Sequence, residues 1–258
     1  RVFMPLAHRR HLLQLASAAV LAGLGSRGWA QDKPEKARLT MAVGGKAGFY
    51  YLPLTIAEQL GYFKSEGLEL DIRDFDGGSQ ALKAATSGAA DVVSGAYEHT
   101  IGLQARGLAY QAFVLQGRAP QIAMGVSPKT LPHYRQLSDL KGRRIGVSAL
   151  GSSTNMVANL VLTRAGIRPQ DVQFVGVGTS AGALRAFRMG EIDALSNIDP
   201  VITVLEKSGE IRIVSDTRSL KGTRDVFGGP MPAACLYAPL SFIERHPRTC
   251  QALATSHP

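Results

Sequence analysis

The sequence predicts an α/β protein of two similar lobes, each a mainly parallel sheet flanked by helices, joined by a two-strand hinge with a ligand cleft between them. Three observations predict it. The stretch Ala81 to Gly95, reading ALKAATSGAADVVSG, returns 102 positions later as Ala183 to Asn197, reading ALRAFRMGEIDALSN, with no gap. Short apolar runs alternate with segments of helical spacing, the order expected of parallel strands joined by right-handed helical crossovers. That alternation restarts at Lys141-Gly142. Duplicated halves leave a gap between them, and a gap between two lobes is a place to bind something small. The 258 residues, 45% hydrophobic and 19% charged, are enough for two modest cores.

Residues 1–30 are expected to be an export signal: Arg9-Arg10 precedes the apolar run Leu12 to Leu24, and Gly28-Trp29-Ala30 is a small-x-small cleavage site. The run is too short to span a bilayer, and the Arg pair suits either a general secretory or a twin-arginine route. No cysteine lies near the cleavage site, so no lipid anchor is expected. Setting aside the four arginines of this segment lowers the formal net charge from +9 to +5. The remaining basic residues are dispersed and lack aromatic interleaving, which argues against nucleic-acid binding; a mildly positive surface favours an anionic ligand.

Residues 31–37 read as a linker and 38–122 as lobe 1. In that lobe Leu39 to Val43 is a strand and Gly44 to Gly48 a turn, and Leu52, Ile56, Leu60 and Phe63 mark a helix punctuated by Gly61 and Gly67. Leu68 to Phe75 is a second strand, Gly77-Gly78-Ser79 opens the first repeat helix, and Asp91 to Ser94 is the third strand. Lobe 2, residues 123–232, repeats the order. Its strand Arg143 to Val147 leads to a helix opened by Gly151-Ser152-Ser153-Thr154, then Asp171 to Val177, a helix opened by Thr179-Ser180, and the strand Asp193 to Ser196. Gln121 to Ser127 and Ala233 to Ala238 read as the two hinge crossings, and 233–258 as the return crossing with the start of C-terminal helices. Cys235 and Cys250 form no dense framework and read as two separate thiols.

In open α/β sheets ligands sit beyond the carboxyl ends of the strands, where helix N-termini point unpaired N–H groups. The candidate binding residues are Phe49, Tyr50, Gly77, Gly78, Ser79, Gly95, Ala96 and Tyr97 in lobe 1, and Gly151, Ser152, Ser153, Thr154, Thr179, Asn197 and Asp199 in lobe 2. Each helix terminus favours a nearby negative charge by about 0.3 to 1 kcal/mol, so converging termini hold a small oxyanion without metal or cofactor. Ser79, Ser153 and Thr179 read equally well as N-caps. Tyr50 and Tyr97 are expected on the cleft walls, each offering an apolar face and a phenolic hydrogen bond. Asp91 and Asp193, at equivalent repeat positions, read as acceptors for backbone N–H groups at a turn rather than as a catalytic pair. Asp199 either receives a ligand amino group or fixes the turn before Pro200. Glu98 and His99 are adjacent on a helix and point different ways. No Gly-x-Ser-x-Gly, His-Glu-x-x-His or phosphate-loop motif is present, so no catalytic residue is assigned.

Several segments carry a family resemblance: LPLTIAEQLGYFKSEGLELDI, GGSQALKAATSGAADVVSG, Leu140 to Val147 with Gly151-Ser152-Ser153, GEIDALSNIDP, and Phe242 to Pro247. In this order they resemble the periplasmic substrate-binding proteins of ABC importers, in the nitrate, sulfonate and taurine group that also includes thiamin-pyrimidine precursor binders. The resemblance implies the type II periplasmic-binding fold and a monomeric, non-enzymatic periplasmic protein. Such a protein captures a small anionic or zwitterionic organic solute and delivers it to an inner-membrane ABC permease with a separate ATPase subunit. Alternatives are a lyase or synthase using the same cleft, or a sensory domain. A related branch makes a thiamin pyrimidine with a cysteine-rich segment and iron-binding histidines, which two cysteines cannot supply. Two departures stand out. The family continues with further helices where this chain stops at Pro258, an expected truncation, and Ala47 to Tyr51 replaces the polar residues usual after the first strand, so the solute does not carry over.

Overall fold

The computed structural model describes residues 33–257, and the segment expected to be an export signal lies outside them. From Pro34 onward the chain builds two five-stranded sheets. The first contains β1 (Arg38–Val43), β2 (Glu69–Asp74), β3 (Val92–Ala96), β4 (Tyr110–Leu115) and β10 (Ala234–Pro239), in the order β2-β1-β3-β10-β4. The second contains β5 (Ile122–Val126), β6 (Arg144–Val147), β7 (Gln173–Gly176), β8 (Ala194–Ile198) and β9 (Arg212–Asp216), in the order β7-β6-β8-β5-β9. The helices are α1 (Leu52–Gln59), α2 (Tyr62–Ser65), α3 (Gly78–Thr86) and α4 (Tyr97–Gln104), then α5 (Ser153–Arg164), α6 (Ala181–Arg188), α7 (Val201–Lys207) and α8 (Leu220–Phe227), and finally α9 (Leu240–Arg245) and α10 (Pro247–Thr255).

Both sheets are mixed, and their wiring matches. β1 pairs in parallel with β2 and β3, and β6 with β7 and β8. β10 runs antiparallel between β3 and β4, and β5 antiparallel between β8 and β9. This corrects the reading of Gln121 to Ser127 and Ala233 to Ala238 as hinge crossings. Both stretches are interior strands, buried along almost their whole length, and each reaches its sheet from the other lobe. An apolar run with no polar alternation is the pattern of a strand covered on both faces; a crossing would need polar backbone partners at the surface. The crossings lie just ahead of these strands. There the Gln116 and Gly117 N–H groups donate to the Ala234 carbonyl, and the Gln121 N–H donates to that of Thr217.

The repeated segment folds as α3-β3 and α6-β8, and its matching residues do matching work. Asp91 donates its backbone N–H to the Thr40 carbonyl at 2.8 Å and accepts the Thr40 N–H on Oδ2 at 3.0 Å. Asp193 treats Arg144 in the same way, its Oδ2 accepting that N–H at 3.0 Å. Each aspartate therefore splices the third strand of its lobe onto the first, a structural role, though at a strand start rather than within a turn. Both central strands, β3 and β8, are fully buried, whereas the edge strand β2 alternates between exposed and half-buried positions.

The helix after β1 departs from expectation in two respects. It breaks at Gly61 into α1 and α2, and Leu52 and Leu60 are exposed while Leu54, Ala57 and Phe63 are buried. Leu52, Ile56 and Leu60 and the set Leu54, Ala57 both satisfy helical spacing, so periodicity alone did not select the face that packs.

Candidate ligand cleft

The carboxyl ends of β1 and β3 in one lobe face those of β6 and β8 in the other, so the loops that follow these strands meet. Ser79, in the first turn of α3, is held from the opposite lobe: its N–H donates to Ser152 Oγ at 2.9 Å, its hydroxyl donates to the Leu150 carbonyl at 2.8 Å, and it accepts from Ser152 Oγ at 3.1 Å. A second bridge runs from the Phe49 N–H to the Asp199 carbonyl at 2.9 Å. Between these contacts Gly77 permits the approach, because a Cβ built there would stand 2.7 Å from Ala149 Cβ.

Behind the contacts lies a narrow cavity of about 20 Å³, partly open to solvent. Of the sequence-predicted residues, Tyr50, Gly78, Ser152, Ser153, Thr154 and Thr179 line it. Gly44, Tyr51, Ile122, Ser148 and Ile198 complete the lining without having been anticipated. Gly44 and Ser148 follow β1 and β6 directly, so the rule placing ligands beyond strand ends would have found them. Ile122 and Ile198 carried no signal beyond apolarity.

The remaining predicted residues sit elsewhere. Gly77, Ser79 and Gly151 belong to the lobe junction, where a Cβ on Gly151 would meet Ser79 Cβ at 3.7 Å. Phe49 offers its backbone N–H to Asp199 while its ring is 55% exposed. Gly95 and Ala96 are buried inside β3, where Gly95 makes room for the Tyr237 ring, and Tyr97 packs half-buried against the cluster around Ala81 and Val93 instead of lining a wall. A helix starting at residue 97 turns that side chain back onto its own lobe. Asn197 spans from its own strand to the Gly178 carbonyl. Asp199 accepts the Thr203 N–H and hydroxyl and lies 3.6 Å from Arg218, so it fixes the turn. None of Ser79, Ser153 and Thr179 is an N-cap; those positions are held by Gly77, Ser152 and Ser180.

Among the described residues no charged side chain lines the cavity. Its polar groups are hydroxyls and the first turns of α3 and α5. Thr154 Oγ1 is committed to the Ser148 N–H and hydroxyl at 2.9 and 2.8 Å. Burial, reinforced by the nearby Glu98 charge, raises the Tyr50 and Tyr51 phenols above their ordinary range, so both remain protonated at neutral pH. The other chemistry-bearing side chains stand back from the cavity. His99 is 7% exposed, with Nδ1 3.3 Å from the Tyr237 hydroxyl, and Glu98 Oε1 is buried without a partner. Burial pushes the Cys235 thiol up to about 12, far from a thiolate nucleophile.

Residues 48–221 match the NMT1/THI5-like family. The solved structure of a protein from Bordetella bronchiseptica RB50 superposes with a TM-score of 0.86 at 59% identity, covering 87% of this chain and 71% of that one. The taurine-binding periplasmic protein of Escherichia coli K12 is 26% identical over 197 residues, 76% of this chain and 57% of the relative. The 4-amino-5-hydroxymethyl-2-methylpyrimidine phosphate synthase of Schizosaccharomyces pombe is 26% identical over 156 residues, 60% of this chain and 43% of that enzyme. The chain thus spans about half the length of these two curated relatives.

Proposed function

Since this chain belongs to the NMT1/THI5-like family, we propose that it is the extracytoplasmic solute-binding component of an ABC importer. Its solute is a small anionic or zwitterionic organic molecule, gripped as the lobes close and handed to an inner-membrane permease whose ATPase is a separate subunit. Lobe 1 runs over 38–122 and lobe 2 over 123–232, residues 1–30 direct export to the periplasm, and the protein acts as a monomer.

The observation that carries this reading is the cavity between the lobes, walled by hydroxyls and helix N-termini and by no charged side chain among the described residues. An oxyanion there meets N–H and O–H donors at the positive ends of α3 and α5 without a cation that would have to be desolvated. Tyr50, Tyr51, Ile122 and Ile198 supply apolar and phenolic surface for the organic part. Tight binding to the closed arrangement and weak binding to the open one is what allows a solute to drive closure.

A synthase activity in the same cleft is the competing reading, favoured by the yeast relative. Against it stands the lining itself, in which no carboxylate, imidazole or thiol occurs. A thermal-melting screen of the protein against sulfonates, nitrate, taurine, pyrimidines and aromatic acids tests the proposal, since a ligand that binds only the folded form raises the melting temperature with concentration. For the solute that does so, Ser153→Trp abolishes the rise and leaves the unliganded melt cooperative. Turnover of any candidate without such a rise would instead support the enzyme.

A further inference from the structure

We infer that Ser79 and Ser152 form a latch between the lobes, one that stabilises closure by protein–protein hydrogen bonds; Ser152 borders the cavity, but its hydroxyl is committed to Ser79 rather than to the solute. The two hydroxyls use each other and the Leu150 carbonyl, and Ser152 Oγ also accepts the Ser79 N–H. That N–H is one of the unpaired donors at the start of α3. A residue at the N-cap position ordinarily gives its side chain to its own helix; Ser152 holds that position in α5, makes no side-chain bond to its own helix, and instead caps α3 of the other lobe. Ser152 is only 2% exposed, so these bonds are shielded from competing water in the closed arrangement. On opening, each group exchanges its partner for solvent.

The consequence is a division of labour within one row of small residues. Ser153 and Thr179 line the cavity outside the Ser79–Ser152–Leu150 cluster, with Ser153 hydrogen-bonded to the Tyr50 side chain that shares the lining, so they are the pair that discriminates among solutes. Ser79 and Ser152 set how readily the lobes close on any solute. Because apparent affinity scales with the population of the binding-competent state, losing the latch weakens every solute by a common factor.

Small-angle scattering of the full chain, freed of carried-over solute by unfolding and refolding, tests the latch without reference to ligand. The wild type scatters as the closed form, and Ser79→Ala and Ser152→Ala shift the closed-to-open ratio by about tenfold, seen as an increased radius of gyration. Ser79→Thr, which keeps the hydroxyl, scatters like the wild type and separates the latch from a folding defect. A wild type that is already open, or Ala variants with unchanged dimensions, would overturn the inference. The affinity arm rests on the solute-binding reading: with any two solutes from the melting screen, both Ala variants weaken binding equally and preserve their rank order. An inverted rank order would place the serines in contact with solute and sink the latch, whereas a screen without hits would count against the solute-binding reading and leave the scattering result to decide the latch.

Discussion

The duplicated aspartates show how a single side chain ties sequence repetition to fold. Asp193 is 6% exposed and accepts the Arg144 backbone N–H and two guanidinium hydrogen bonds, with Oδ1 3.0 Å from the Arg144 Nη2. Partial burial raises its carboxyl pKa, but the Arg144 side chain and backbone outweigh that and leave it lowered. Asp91 makes the equivalent backbone bond and pairs with Lys36 at a more exposed site. Hydrogen bonds to a charged group contribute about 1.5 to 3 kcal/mol each, so Asp193→Ala destabilises the protein by at least about 2 kcal/mol. Asp91→Ala costs less. Urea unfolding midpoints of the two variants measure the difference, and an equal loss would mean that exposure does not set the contribution. The repeat made both roles legible, because the same acid recurred after the same glycine; the partners, Thr40 and Arg144, lie too far along the chain to be named without a fold.

At the scale of elements, the site depends on where helices begin. The glycine-and-serine openings of α3 and α5 were legible from strand-then-small-residue order, and they do face one another across the cleft. Which residue of each opening touches the cavity was not legible, because a one-position shift in a helix start turns a side chain by about 100°. Thus Ser153 lines the cavity, its neighbour Ser152 borders it while bonding to the other lobe, and Tyr97 faces its own core. Gly77 adds a prediction. Its backbone is extended, at φ −167°, a conformation open to alanine, so Gly77→Ala leaves lobe 1 intact. The added methyl would collide with Ala149 only when the lobes meet. The variant should melt within a few degrees of the wild type and lose at least about tenfold in solute affinity, checked by titration calorimetry; full affinity would show that closure tolerates a wider gap there.

For the molecule as a whole, buried histidines set the acid limit of stability. Burial lowers the His99 imidazole pKa, only partly offset by Glu98, and burial likewise lowers that of His257. A base with a depressed folded pKa binds fewer protons when folded than when unfolded, so its contribution is present above the ordinary histidine value of about 6.5 and is lost as pH falls below it. A second loss follows between about pH 4 and 2. There Asp171, held at about 2 by its Arg168 hydrogen bonds, becomes protonated, as does Glu35, which burial raises but hydrogen bonds from the Thr249 and Arg248 backbones bring to about 2. Urea midpoints should therefore fall from pH 7.5 to 5.5 and again below 4; a flat profile between 7.5 and 5.5 would mean that both rings are hydrated. Taken alone, the chain determined its α/β class, its duplication and the strand ends that bear the cleft, because periodicity, glycine punctuation and repetition are local properties. Tertiary structure alone decided that each sheet borrows an antiparallel strand from the other lobe, that Ile122 and Ile198 reach the cavity, and that Ser152 serves the helix opposite. Those facts depend on contacts between residues far apart in the chain, and no local pattern encodes which distant surfaces meet.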